Sequence, residues 1–189
     1  ALRSDRPTWL YASTHDGEEE LACAVHQSLL ARYSDLLTII VPRHPDRRDD
    51  IAATCDKAGV AFTLRGEDKT LPDAQTGVYI ADTLGELGLF YSLAPISVIG
   101  RSFSRDGGGG HNPIEAAQLG SAVLSGPHIQ YQRNLFGPMV EAGAARLIET
   151  PDALARAIDG LLSDSNALHS LQQAGQEFVS SKVAIIEDI

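Results

Sequence analysis

Residues 107–115 read Gly-Gly-Gly-Gly-His-Asn-Pro-Ile-Glu, four glycines running into a helix start. The glycines leave a backbone able to lie flat against a ligand. Asn112 has a capping side chain, Pro113 suits a first helical position, and Glu115 stands three residues after the cap. That order aims free N–H groups and the positive end of a helix dipole at whatever the loop admits. The chemistry it predicts is anion binding, with phosphate the best fit. Gly110, His111, Asn112 and Glu115 are its candidate residues.

Two further turns share the same grammar. Asp16-Gly-Glu-Glu19 and Thr83-Leu-Gly-Glu86 each place a capping residue three positions before a glutamate. At the first, Glu18, Glu19 and Glu20 read as a solvated acidic turn that suits the dipole. At the second, Glu86 either closes a capping box or accepts hydrogen bonds from a ribose or a base, with Thr83, Gly85 and Leu87 beside it; the same alternative holds for Glu115. Pro42-Arg43-His44-Pro45 is a stiffened turn that fixes where Arg43 points, and a guanidinium is a planar fork suited to phosphate. His44, His111 and His128 are each either structural or ligand-facing. Ser13, Thr14 and His15 offer small hydroxyls and an imidazole as caps or as phosphate donors. His111 and Glu115 are four residues apart but lack a third ligand at suitable spacing, so no metal site is expected.

These turns need strands and helices to hold them. Trp9–Ala12, Leu36–Val41, Val60–Leu64, Val78–Ala81, Ile96–Gly100, Ala122–Leu124 and Ala144–Ile148 read as buried strands. Helical spacing covers Glu18–Tyr33, Asp49–Ala58, Leu84–Leu93, Pro113–Leu119, Asn134–Ala142, Asp152–Leu162 and Ser165–Val179. Strict alternation with short connections implies a parallel sheet covered on both faces, whose ligands bind beyond the carboxyl ends of the strands. The connection from Arg65 to Thr76 is the segment with the weakest pattern.

The chain has 189 residues and a formal charge of −10. That charge disfavours nucleic acid as a partner, so any anion site must be local. No run approaches the roughly 20 apolar residues of a membrane span. Cys23 and Cys55 read as reduced, buried residues within helices. The first residue is alanine and no signal peptide follows, which suggests a piece of a longer protein. The first turn lacks the G-x-G-x-x-G of a dinucleotide site, and no G-x-x-x-x-G-K-[ST] loop occurs.

Ser13-Thr-His-Asp-Gly-Glu-Glu19, Val41-Pro-Arg-His-Pro45, Asp82-Thr-Leu-Gly-Glu-Leu87, Gly108-Gly-Gly-His-Asn-Pro-Ile-Glu115 and Gly126-Pro-His128 together resemble one family. It is the 3-deoxy-D-manno-octulosonic acid (Kdo) transferases of lipopolysaccharide assembly, and the likeness runs from about Arg6 to Gln176. The resemblance implies an α/β fold: a Rossmann-like parallel sheet with helices on both faces, the C-terminal half of a GT-B glycosyltransferase. Residues 1–189 would be the nucleotide-sugar binding domain, and the N-terminal acceptor domain would lie outside this chain. It also implies a CMP-Kdo donor, a lipid A precursor as acceptor, no metal and no cofactor. Arg43 would hold the donor phosphate, with His44 beside it. Thr83, Gly85, Glu86 and Leu87 would line the cytidine and phosphate pocket. Gly110, His111, Asn112 and Glu115 would contact ribose, phosphate or sugar. The family's catalytic base is an acid of the N-terminal domain, so this chain would bind donor without turnover. The parent would work at the cytoplasmic face of the bacterial inner membrane, attached through that other domain.

Two places depart from the family pattern. Gly100-Arg101 stands where a pair of glycines is usual, with a loop to His111 about two residues longer, and Ile129-Gln-Tyr131 replaces an aromatic-asparagine step. Another GT-B enzyme with a different nucleotide sugar, a nucleotide-sugar epimerase, and a non-enzymatic nucleotide sensor are the competing readings.

Overall fold

The computed structural model describes residues 6–187, with side chains through Lys182. In chain order it holds β1 (Thr8–Thr14), α1 (Glu18–Leu29), β2 (Leu37–Pro42), a 3-10 turn (Pro45–Arg47) leading into α2 (Arg48–Ala58), β3 (Phe62–Leu64) and β4 (Val78–Ile80). Then come α3 (Leu87–Leu93), β5 (Ile96–Ile99), α4 (Ile114–Gln118), β6 (Ala122–Ser125), α5 (Arg133–Glu141), β7 (Ala145–Leu147), α6 (Pro151–Ser163) and α7 (Ser165–Glu187).

The seven strands form one sheet in the order β3-β4-β2-β1-β5-β6-β7, and every pairing is parallel. β2 is buried at all six positions, the signature of a strand covered on both faces. Side chains alternate between two cores, as the period of a strand requires. Trp9 and Tyr11 face a core shared with α1, α2 and α6, while Leu10 and Ala12 face one shared with α3, α4 and α5. The long α7 passes from one core to the other, with Leu171 in the first and Val179 in the second. Cys23 and Cys55 are free and buried, their sulfurs 3.8 Å apart across α1 and α2. α6 starts as its sequence dictates, with Pro151 in its first turn and the Thr150 hydroxyl accepting from the Ala153 amide.

Some boundaries differ from the sequence reading. Alternation is not strict: β3 and β4 are adjacent and parallel, and residues 65–77 join them without a helix or strand. Tertiary bonds fix that connection instead, including Tyr79 Oη to the Thr70 carbonyl at 2.7 Å. α3 begins at Leu87 rather than Leu84, because Gly85 occupies a left-handed conformation (φ 76°) that a helix cannot include. α1 ends at Leu29 rather than Tyr33, and α7 runs on past Val179. Among the described residues no helix is long and apolar enough to cross a membrane.

Candidate functional site

From β1 the chain steps to β2 on one side, and later returns to β5 on the other. α1 leaves β1 toward one core and α4 follows β5 toward the other. Their loops part at this switch point, where sheets of this topology place a crevice, beyond the carboxyl ends of β1 and β5. The strand ends are pressed together there. A Cβ on Gly100 would collide with the carbonyl oxygens of Ala12 and Ser13, and Ser13 itself takes a left-handed φ of 57° where the β1–β2 register slips.

Glu18 holds the crevice floor. Its carboxylate accepts the amides of His15 (2.9 Å), Arg101 (2.8 Å), Ser102 (2.9 Å) and Phe103 (2.9 Å), and the Tyr11 hydroxyl at 3.1 Å. Burial and the adjacent carboxylate of Glu18 raise the Tyr11 pKa well above its ordinary value. Glu19 is tied to Arg47 (2.7 and 3.1 Å) and the Thr14 hydroxyl (2.8 Å). Glu18 and Glu19 are 0% and 1% exposed, so the expected solvated acidic turn is corrected. The carboxylates turn inward because orphan amides and an arginine lie on that side, and only Glu20 remains exposed. No capping box forms here either: Gly17, not Asp16, sits at the N-cap. The hydroxyl of Thr14 is likewise committed to Glu19.

Above the floor, three histidines and two arginines meet. His15 Nε2 lies 3.0 Å from His111 Nε2, and His15 Nδ1 lies 3.1 Å from Asp106 Oδ2. The His44 ring stands edge-on to His15, with centroids 5.8 Å apart. Burial lowers the pKa of His15, against an opposing pull from Asp106. Burial, then His15, Arg43 and Arg101, lower that of His111 to about 4. Both rings are therefore neutral at physiological pH. Arg43 is exposed, and its guanidinium has no hydrogen-bond or ion-pair partner among the described residues. Arg101 pairs with Asp106 at 3.2 Å and stacks over the Tyr131 ring at 5.5 Å.

The glycine loop is used differently from the sequence expectation. Gly108, Gly109 and Gly110 are buried, with φ values of 69°, 129° and 76°. Their amides donate within the chain, to Asp106 Oδ1 (3.1 Å), the His128 carbonyl (3.2 Å) and the Arg101 carbonyl (2.9 Å). A Cβ at Gly108 or Gly109 would strike His128 or Tyr131. The glycines thus serve close packing against the turn after β6, not a cradle of free amides. His128 takes part through its backbone, and its side chain is exposed. The amides of His111, Asn112, Glu115 and Ala116 have no partner among the described residues. Asn112 Oδ1 accepts the Ile114 amide at 2.8 Å, but the N-cap residue is Pro113 and no reciprocal bond from Glu115 closes a box. Glu115 is exposed, its carboxylate close to Gly88 at the start of α3.

A second charged group lies at the β3–β4 corner. Arg65 is 7% exposed and forks onto Glu86 (Nε to Oε2 2.7 Å, Nη2 to Oε1 2.9 Å), with Nη1 donating to Tyr79 Oη at 2.9 Å. Thr83 Oγ1 (2.5 Å) and Lys69 Nζ (3.2 Å) complete the shell around Glu86. Arg65 and Thr83 hold the Glu86 carboxyl far below its usual range. With four donors on its two oxygens, Glu86 has no acceptor position left for a ligand unless a chain partner moves. Nor does Thr83 cap α3; the N-cap residue is Glu86 itself.

Of the residues singled out by sequence, Ser13, His15, Arg43, His44 and His111 converge on the switch-point crevice. Gly110, Asn112 and Glu115 follow along its rim toward α3, and Thr83, Gly85, Glu86 and Leu87 form the adjoining corner. Arg101, Asp106, Glu18 and Arg65 were missed as site-forming residues. Arg65 follows a short strand and pairs 21 residues away, which no local pattern marks. Arg101 and Asp106 stood in the loop that departs from the family pattern, the one signal that pointed to them. No group of three or more potential metal ligands occurs among the described residues.

No protein-family model matches the chain. The 3-deoxy-D-manno-octulosonic acid transferase of Haemophilus influenzae is 38% identical over 176 residues, covering 93% of this chain and 40% of that protein. A probable mitochondrial 3-deoxy-D-manno-octulosonic acid transferase of Arabidopsis thaliana is 38% identical over 180 residues, covering 94% and 40%. The crystal structure of the C-terminal CMP-Kdo binding domain of WaaA from Acinetobacter baumannii matches with a TM-score of 0.86 at 27% identity, over 93% of this chain and 90% of that one. The chain is therefore related to the Kdo transferases along nearly its whole length, with the Rossmann-like architecture of a GT-B C-terminal domain. It spans about 40% of the length of the curated relatives it matches.

Proposed function

We propose that this relative of the Kdo transferases is the donor-binding domain of one of them, and that it takes CMP-Kdo in the crevice beyond β1, β2 and β5. The observation that carries this reading is the free Arg43 guanidinium at the mouth of that crevice, in a chain so similar to a domain described as CMP-Kdo binding. A cation without an internal partner, next to histidines kept neutral by burial, is poised for an anion from outside.

In the transfer, the bond between the sugar and the phosphate oxygen breaks, and negative charge grows on the departing CMP. Arg43 stabilises that charge through a paired, charge-assisted contact. The unpartnered amides of Glu115 and Ala116 add donors at the rim. His44, Asn112 and Glu115 meet the nucleotide or sugar, and the Thr83–Leu87 turn closes the base side, its shape held by the Arg65–Glu86 pair. The acceptor, a lipid A precursor, and the catalytic acid-base group belong to an N-terminal domain of the whole protein. That domain would also carry the association with the cytoplasmic face of the inner membrane, in the service of lipopolysaccharide synthesis. On its own, residues 1–189 would bind donor without turning it over.

Calorimetry with CMP, UMP and GMP tests this. The expected result is saturable binding of CMP in preference to the other two. A preference for UMP would favour an enzyme using a UDP-sugar, and no nucleotide binding at all would contradict the reading.

A further inference from the structure

We propose that Asp106, in the lengthened glycine loop, is a positioning residue that sets the tautomers of His15 and His111 and leaves His111 as a hydrogen-bond acceptor for a hydroxyl of the bound ligand. The proposal rests on reading the crevice as the donor site, but its first test does not.

Asp106 is itself held firmly. Oδ1 accepts the Ser104 hydroxyl at 2.5 Å and the Gly108 amide at 3.1 Å, and Oδ2 meets Arg101 Nε at 3.2 Å. Those contacts, with Ser104 foremost, lower its pKa to about 2, so the carboxylate is ionised and can only accept. His15 Nδ1 lies 3.1 Å from Oδ2, where a bare nitrogen lone pair would be repelled by the carboxylate, so the proton is drawn to Nδ1 by charge. In a neutral ring that leaves a lone pair on Nε2. His111 Nε2 is 3.0 Å from that lone pair and must supply the hydrogen between them. His111 is then protonated on Nε2 and bare on Nδ1, an atom with no partner among the described residues.

The surrounding charges are consistent with two neutral rings. His15 faces Asp106 and Glu18 on the acidic side and Arg101 and His44 on the basic side. His111 faces Arg43 and Arg101, with His15 and Asp106. The two nearby guanidiniums oppose a third positive charge. A division of labour follows. Phosphate oxygens fall to Arg43, and His111 offers a lone pair that repels an anion but suits a sugar hydroxyl.

Nitrogen-15 NMR of the two imidazoles in the nucleotide-free chain reads the tautomers directly. The expected spectrum shows His15 protonated on Nδ1 and His111 on Nε2. Asp106→Asn replaces the acceptor by a group able to donate to Nδ1, which should invert both rings, whereas Asp106→Glu should keep the original pattern. His15 protonated on Nε2 in the unaltered chain, or unchanged rings in Asp106→Asn, overturns the positioning role. In CMP titrations Asp106→Asn should bind several-fold more weakly and Asp106→Glu near the original affinity. Inverted rings with undiminished CMP affinity in Asp106→Asn overturn the link to the ligand. Absence of CMP binding by the unaltered chain would instead count against the donor-site reading and leave the tautomer result standing.

Discussion

Arg43 and Arg65 occupy equivalent places in the chain, each the first residue after a strand at the carboxyl edge of the sheet. Their fates are opposite. Arg65 is 7% exposed and spends its fork on Glu86 and Tyr79. Arg43 is exposed, between two prolines, with no internal partner among the described residues. The lesson is that a cation at a strand end becomes a binding group only when the fold withholds a counter-charge from it. Where the fold supplies one, the same residue type becomes scaffold, fixing the shape of a neighbouring turn.

Glu18 holds the turn after β1 to the loop after β5, and altering it should have the largest effect. Glu18→Ala strips a buried charged acceptor from four amides, that of Ser102 buried and those of His15, Arg101 and Phe103 part-buried, and should cost about 3–5 kcal/mol in chemical denaturation. Loss below about 1 kcal/mol would mean that the crevice floor does not depend on it. Arg65→Ala should come next, destabilising by about 2–3 kcal/mol through the broken fork. CMP affinity should fall less than in Arg43→Ala, because Arg65 shapes the corner through Glu86 and Tyr79 and its guanidinium is already spent.

Acid should expose a second contrast between the two ends of the sheet. Burial lowers His26, bonded to Thr38 Oγ1 near the amino end of β2, to about 4, as it does His111 in the crevice. Each stays neutral in the native state while the unfolded chain protonates near pH 6.5, so the unfolded state binds more protons between about pH 6.5 and 4. Stability is therefore full above that window and falls as pH drops through it, at up to about 1.4 kcal/mol per pH unit for each histidine. Glu19, raised by burial, works in the opposite sense at the acid end. Denaturation at stepped pH checks the slope, and His111→Gln should remove only the part due to the crevice. A slope unaltered by that substitution would place the proton uptake elsewhere.

Arg43→Ala is the mirror image of Arg65→Ala and should have the smallest effect on stability, within about 0.5 kcal/mol. Its CMP affinity should fall roughly tenfold, about 1.4 kcal/mol. Calorimetry giving the same CMP affinity as the unaltered chain would remove Arg43 from the site.

The difference between the two arginines also marks how much the sequence could tell. Strands such as Leu37–Pro42 were legible because a central parallel strand is apolar on both faces. Arg43 was legible because prolines bracket it. Glu18 and Glu19 were misread as solvated, since an acidic run at a helix start looks the same whether its side chains turn outward or inward. For Glu18 the loop after β5, more than 80 residues away, decides that, and for Glu19 it is Arg47, 28 residues away. The glycine loop was recognised as part of the site, but its role was not. Glycines that admit a ligand and glycines that admit a neighbouring turn have the same sequence, and here Gly108 and Gly109 pack on His128 and Tyr131.

A crystal structure of this chain with CMP tests the contrast most directly. The expected result is a phosphate oxygen within hydrogen-bond distance of the Arg43 guanidinium, beyond the ends of β1 and β2, with the Arg65–Glu86 fork intact. A phosphate seated on Arg65 with Glu86 displaced, and Arg43 left in solvent, would contradict it.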